Sequence, residues 1–230
     1  MYDRAKRVRV LVIGTTLLSL LLIGGCSVRN QQGSSETPTS QADTQATQTS
    51  TAEETTGAAG VPASNVTELG LYATPTEAYE AWKADPKAVH FLDVRTFEEY
   101  VFGGHVEMAK NIPYGFPKYD PSGATMPGAP AGCSSDPNPD FVPSVEAAFG
   151  KKDKIFVMCS SGGRAAQAIN ALSQAGFTNV YNVLNGFEGE SVTDTGSAYY
   201  GKKMRNGWKN DGLPWGYDAD PSLMWVEPSQ

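Results

Sequence analysis

Cysteine, histidine and positive charge are all scarce in this sequence of 230 residues. Three cysteines are too few for a disulfide-stabilised scaffold. Two histidines leave little material for a histidine-based metal site. The formal net charge is −7, whereas a general nucleic-acid binder needs clustered lysine and arginine to neutralise phosphates, so we expect no nucleic-acid partner. The 24 glycines follow no three-residue period, which excludes a collagen-like chain.

A short apolar run follows a cluster of basic residues at the start of the chain. Four basic residues lie within the first nine positions, and the apolar-leaning run covers residues 10–23. Its length of about 14 residues falls short of the roughly 20 that a membrane-spanning helix needs. The run ends in Ile23-Gly24-Gly25-Cys26, which resembles the lipobox of bacterial lipoproteins. This resemblance implies cleavage before Cys26, so we predict that residues 1–25 are a lipoprotein signal peptide.

The lipid that the lipobox implies on Cys26 would hold the chain on a membrane of the bacterial cell envelope, with the domain outside the cytoplasm. An uncleaved anchor and plain secretion are the alternatives. Residues 26–66 are rich in Ser, Thr and Gln and contain no aromatic residue, so they cannot offset the entropy cost of ordering. We predict that they form a disordered linker with a reach on the order of 35 Å. The folded domain is then expected over residues 67–230.

Within the domain, short apolar runs alternate with helical patterns. Residues 88–94, 154–158 and 179–183 are typical of buried strands. Helices are predicted from a cap at Thr74 or Thr76 to about Asp85, and over 97–102, 141–149 and 164–175. This alternation predicts an α/β fold with a central parallel sheet flanked by helices. Residues 114–143 contain many prolines and are predicted to be a long loop, and residues beyond the last strand form a C-terminal extension.

The residues around Cys159 predict a reactive sulfur. Cys159 follows an apolar strand, and the turn that leads to the next helix contains two serines and two glycines. The backbone N–H groups of residues 160–164 can therefore turn toward one centre and bind an anion. Arg164 adds a fixed positive charge, and both effects favour a thiolate over a thiol. The alternative is that Cys159 is a small buried hydrophobic residue at a strand end.

Several motifs occur in the order found in one known family. The segment Cys159-Ser-Ser-Gly-Gly-Arg164 resembles the Cys-x-x-Gly-x-Arg active loop of the rhodanese-like sulfurtransferases. Other matching segments are Leu92-Asp93-Val94-Arg95 with Glu98, Glu99 and Tyr100, then Gly104 to Pro113, Gly176 to Tyr181, Gly186, Gly207-Trp208, and Gly212 to Pro214. The resemblance covers about residues 70–215. It departs from the family pattern at Glu107-Met108, where the family has Pro-Gly, and in the length of the 114–143 insertion.

The resemblance implies a sulfurtransferase that moves sulfane sulfur through a persulfide. Its catalytic residues would be Cys159 and Arg164, and its substrate-binding residues Ser160, Ser161, Gly162, Gly163 and Arg164. Asp93 and Arg95 would brace the active loop, although a simple ion pair between them is the alternative. The donor would be thiosulfate or polysulfide, the acceptor a thiol, and no cofactor or metal is implied.

Two other functions are compatible with the sequence. The loop could bind a partner without catalysis, or the cysteine could serve a phosphatase or an arsenate reductase. Cysteine phosphatases place Arg six residues after Cys, whereas Arg164 is five after Cys159, which disfavours that reading. The 114–143 insertion could be a lid, a partner surface or a passive loop. Cys133 within it is either a resolving thiol for Cys159 or an unpaired loop thiol.

Overall fold

The computed structural model describes residues 60–122 and 133–227. The predicted signal peptide, the lipidation site Cys26 and most of the predicted linker lie outside the described residues, so they stay predictions. Every helix within the described ranges is too short or too polar to cross a bilayer.

Five parallel strands form the central sheet. In chain order, the strands of the described residues are β1 (Tyr72–Ala73), β2 (Val89–Asp93), β3 (Ala109–Asn111), β4 (Gly115–Tyr119), β5 (Cys133–Pro137), β6 (Lys154–Met158), β7 (Val180–Val183), β8 (Glu190–Ser191) and β9 (Lys203–Arg205). The sheet order is β1-β7-β6-β2-β3. Strand β6 therefore lies at the centre, where Phe91 of β2 pairs with Phe156 and Val180 of β7 pairs with Ile155.

Helices cover both faces of this sheet. They are α1 (Pro75–Ala84), α2 (Phe97–Gly103), α3 (Phe141–Ala148), α4 (Gly163–Gln174) and α5 (Gly207–Asn210), with short 3-10 helices at Ala63–Asn65 and Pro221–Leu223. Helices α1 and α2 both begin with a capping box, in which a threonine and a glutamate three residues later satisfy the free N–H groups of the first turn. The helix predicted from a cap at Thr74 or Thr76 is thereby confirmed, and its cap is Thr74.

The alternation of side chains along each strand divides the core into two layers. Leu92, Ile155 and Val157 pack on one face of the sheet with residues of α3 and α4. Phe91 and Phe156 pack on the other face with residues of α1 and α5, including the fully buried Trp208. The predicted α/β fold, a parallel sheet flanked by helices, is confirmed.

Two sequence predictions are corrected. Residues 114–143 are not a plain loop, because β4 and β5 pair as an antiparallel hairpin within them. The helix predicted over 141–149 is confirmed as α3. Each strand of this hairpin contains a proline, Pro117 opposite Ser135 and Pro137 opposite Gly115. The hairpin tip, residues 123–132, lies outside the described residues.

The second correction concerns the start of the domain. The sequence predicts a linker up to residue 66, but Val61 and Asn65 are buried, and Ala63–Asn65 forms a helical turn. The ordered part of the chain therefore begins before residue 67, and it reaches the loop that carries Cys159.

Candidate active site

Cys159 lies at the carboxyl end of the central strand. It follows β6 directly and precedes the glycine-containing turn that leads into α4. Its side chain is buried, with 2% exposed. The backbone N–H of Gly162 donates to Sγ of Cys159 at 3.1 Å. Gly162 has φ +104°, a left-handed conformation that glycine adopts without strain, and this conformation aims its N–H at the sulfur.

The carbonyl groups of the turn are held away from the sulfur. The N–H of Phe187 donates to the carbonyl of Cys159 at 2.8 Å, and the N–H of Glu188 donates to that of Ser160 at 2.9 Å. In a planar trans peptide, the C=O and the following N–H point in opposite directions. The N–H groups of residues 160 and 161 therefore point to the opposite side of the chain from these partners.

Two asparagine side chains also donate hydrogen bonds to carbonyl groups of this turn. The Asn65 side-chain amide donates to the carbonyl of Ser161 at 3.0 Å. The Asn182 amide donates to the carbonyl of Gly162 at 3.2 Å and to the carbonyl of Asn65 at 3.0 Å. Sequence reasoning missed both. Asn182 could have been noticed as a polar residue inside an apolar strand, whereas Asn65 lies in a stretch that resembles linker.

Together, these contacts fix the direction of the peptide groups in the turn for which the glycines predict anion binding. The carbonyls of residues 159–162 are all occupied by outside donors, so the N–H groups that follow them face the other way. The N–H of Gly162 donates to the sulfur, and such a contact stabilises negative charge on that sulfur or on an atom bonded to it.

Arg164 is held by Glu99. Both terminal nitrogens of the guanidinium donate to the carboxylate, Nη1 to Oε2 at 2.6 Å and Nη2 to Oε1 at 2.5 Å. Burial by itself raises the pKa of Glu99, but the hydrogen bonds and charge of Arg164 outweigh it, so this pKa is lowered. Burial tends to lower the pKa of Arg164, and the contacts with Glu99 and the nearby Cys159 reverse this and raise it. The pair therefore stays ionised, and much of the charge of Arg164 is neutralised by Glu99.

Asp93 and Arg95 form a second ion pair, and neither residue is exposed to solvent. Nη2 of Arg95 donates to Oδ2 of Asp93 at 2.7 Å and to the carbonyl of Gly104 at 2.9 Å. Nη1 of Arg95 lies 3.8 Å from Oε1 of Glu188, and the hydroxyl of Ser160 donates to Oε2 of Glu188 at 2.9 Å. The pair thus connects to the active loop through Glu188, and also through Glu99, because Nη1 of Arg95 donates to the carbonyl of Glu99 at 3.4 Å. Sequence reasoning did not single out Glu188.

A lysine from the C-terminal extension also reaches the loop. Nζ of Lys203 donates to the hydroxyl of Ser160 and lies 3.4 Å from Oε2 of Glu188. Lys203 lies on β9, 43 residues after Ser160 in the sequence, so no local pattern predicts this contact.

His105 and Cys133 contact other parts of the domain. His105 is buried and stacks on Tyr100 with ring centroids 3.8 Å apart, which fits a structural role in the turn. Cys133 is on β5 opposite Tyr119, and neither it nor Cys159 is in a disulfide.

Comparison with known proteins assigns the family. The family model described as "Rhodanese-like domain" matches residues 74–190, and the chain belongs to this family. "Thiosulfate sulfurtransferase 16, chloroplastic" from Arabidopsis thaliana is 40% identical over 97 residues, which are 42% of this chain and 69% of the relative. "Thiosulfate sulfurtransferase 18" from the same plant is 36% identical over 99 residues, 42% of this chain and 62% of the relative. The chain therefore spans about two thirds of the length of these relatives.

A solved structure is also similar. The crystal structure of Rv0390 from M. tuberculosis aligns with a TM-score of 0.46 and 27% identity, over 64% of this chain and 99% of that chain.

The role of Asn65 can be tested by Asn65→Ala. We expect a loss of about 1–3 kcal/mol in the free energy of unfolding, because the carbonyl of Ser161 loses its donor in a partly buried site. Amide hydrogen exchange of residues 161–163 should become faster, since the turn is less fixed.

Asn179→Ala is the matched control. Its amide donates to the carbonyl of Lys152 at an exposed position, 3.2 Å away. If the two variants show the same stability and the same exchange at residues 161–163, Asn65 does not hold the active loop.

Proposed function

We propose that this protein transfers sulfane sulfur from thiosulfate or a related donor to a thiol acceptor, with Cys159 as the carrier. The observation that carries the proposal is the sulfur of Cys159 at the start of a glycine-containing turn, where it accepts the backbone N–H of Gly162 at 3.1 Å. Family membership and relatives named as thiosulfate sulfurtransferases support the same activity.

In the first step, the thiolate of Cys159 attacks the outer sulfur of thiosulfate. A sulfur–sulfur bond forms to Cys159, the sulfur–sulfur bond of thiosulfate breaks, and sulfite leaves with the electron pair of that bond. Cys159 now carries a persulfide whose terminal sulfur is negatively charged. The N–H groups of the turn stabilise this charge, since they are fixed before the reaction and need no reorganisation.

In the second step, the thiolate of the acceptor attacks the terminal sulfur of the persulfide. The new bond gives a persulfide on the acceptor, and the bond to Cys159 breaks with its electrons returning to Sγ. The Cys159 thiolate is regenerated, so the two displacements consume no oxidant or reductant.

The experiment is to incubate the chain from Ser27 onward with thiosulfate and to measure its intact mass. We expect a gain of one sulfur atom, mapped to the peptide that contains Cys159 and removed by a thiol acceptor. The Cys159→Ala protein should gain nothing. Failure of the unsubstituted protein to gain sulfur from thiosulfate or polysulfide would reject the proposal.

A further inference from the structure

The hairpin of β8 and β9 brings a positive charge to the active loop from outside the family match. The match ends at residue 190, within β8, and β9 pairs antiparallel with β8 so that Ser191 lies opposite Lys203. The side chain of Lys203 donates to the hydroxyl of Ser160, the residue that follows the nucleophile.

The β8–β9 hairpin packs against the segment that contains Phe187 and Glu188, whose N–H groups donate to the carbonyls of Cys159 and Ser160. Gly189 has φ +85° and lies so close to the backbone of Arg205 and Asn206 that a Cβ would overlap their carbonyls. The side chain of Asn210 donates to the carbonyl of Glu188 at 2.9 Å. The position of Lys203 over Ser160 is therefore set by tightly packed backbone and not by a free loop.

Lys203 differs from the two arginines in how its charge is compensated. Arg95 and Arg164 each donate two or more bonds to one carboxylate, that of Asp93 and that of Glu99. Lys203 is 3.4 Å from the carboxylate of Glu188, which also accepts from Ser160 and lies 3.8 Å from Arg95. Its side chain is 37% exposed. An ammonium has three donors, so Lys203 keeps one for a ligand.

We propose that Lys203 is a donor-binding residue that selects anionic sulfur donors. Its ammonium binds the oxygens of a sulfonate group, such as that of thiosulfate, while the outer sulfur of the donor lies at Cys159. Ser160 directly follows Cys159, so Lys203 contacts the residue next to the proposed nucleophile. This inference rests on the proposed function and names the chemical class of its donor.

The first test compares donors of different charge. Lys203→Met should raise the KM for thiosulfate, a dianion, about tenfold with little change in kcat, because a charge-assisted hydrogen bond to the bound donor is lost. The KM for benzenethiosulfonate, a monoanion, should rise about threefold or less. Lys203→Arg should restore most of the affinity, and Lys202→Met, which removes the same charge from the neighbouring position, should leave both KM values unchanged.

The second test does not depend on turnover. Sulfate cannot donate sulfur, and bound sulfate should slow the alkylation of Cys159 by iodoacetamide, read from the mass of its peptide. We expect this protection in the unsubstituted protein and in Lys202→Met, and its loss in Lys203→Met.

Different results would reject the sulfurtransferase activity and the role of Lys203. If sulfate protects Cys159 from alkylation only when Lys203 is present, but no donor forms a persulfide, the sulfurtransferase activity is rejected. Lys203 is then retained as an anion-binding residue. If the protein forms the persulfide, but Lys203→Met and Lys202→Met have the same KM values and the same protection by sulfate, the proposed role of Lys203 is overturned.

Discussion

Cys159→Ser is expected to reduce the rate of sulfur transfer by about a thousandfold or more, the order of loss seen when a covalent nucleophile is removed. A serine oxygen is not ionised near neutral pH and cannot form a persulfide, so both displacements are lost. The measurement is the release of sulfite from thiosulfate in the presence of a thiol acceptor.

The fold should survive this change, because serine is as small as cysteine and its oxygen can accept the N–H of Gly162 that now bonds Sγ. Cys133→Ser is the matched control, since it removes the other described thiol from the hairpin strand β5. Activity retained in Cys159→Ser and lost in Cys133→Ser would assign the nucleophile to Cys133 instead.

Arg95→Met is expected to lower the free energy of unfolding by about 3–5 kcal/mol, because it leaves the carboxylate of Asp93 buried without its partner. Asp93 and Arg95 are both fully buried, and the guanidinium also donates to the carbonyl of Gly104 and stacks on Phe187 at 4.2 Å. Domains are typically stable by only about 5–15 kcal/mol, so this loss is a large part of the total. Urea denaturation measures it.

Lys83→Met provides the comparison. Its partner Glu80 is one helical turn away, and both side chains are about half exposed, so solvent screening leaves this pair with an expected effect of about 0.2–1 kcal/mol. The double variant Asp93→Asn with Arg95→Met should be more stable than Arg95→Met alone, because no unpaired charge remains. If Arg95→Met costs no more than Lys83→Met, the buried pair does not stabilise the domain.

Local patterns predicted most of the fold. The strand at residues 154–158 was predicted from a continuous apolar run and is confirmed at Lys154–Met158. The helix predicted over 164–175 corresponds to α4 at Gly163–Gln174, because its apolar residues repeat at the helical period and a glycine follows it. The 114–143 segment was misjudged, since prolines and glycines suppress the strand pattern although two short strands can still pair there.

The sequence by itself determined the three central strands of the sheet, four of its helices and the place of the candidate nucleophile, since apolar periodicity and a glycine turn depend on neighbours a few residues away. Only the tertiary structure decided what surrounds Cys159. Asn65 meets Ser161 across 96 residues, Glu99 meets Arg164 across 65, and Glu188 meets Ser160 across 28. Such partners have no local period, because chain folding and not sequence spacing brings a polar side chain to a distant backbone group. The N–H groups of a glycine turn can be predicted from residues 159–164, but the groups that fix their direction cannot.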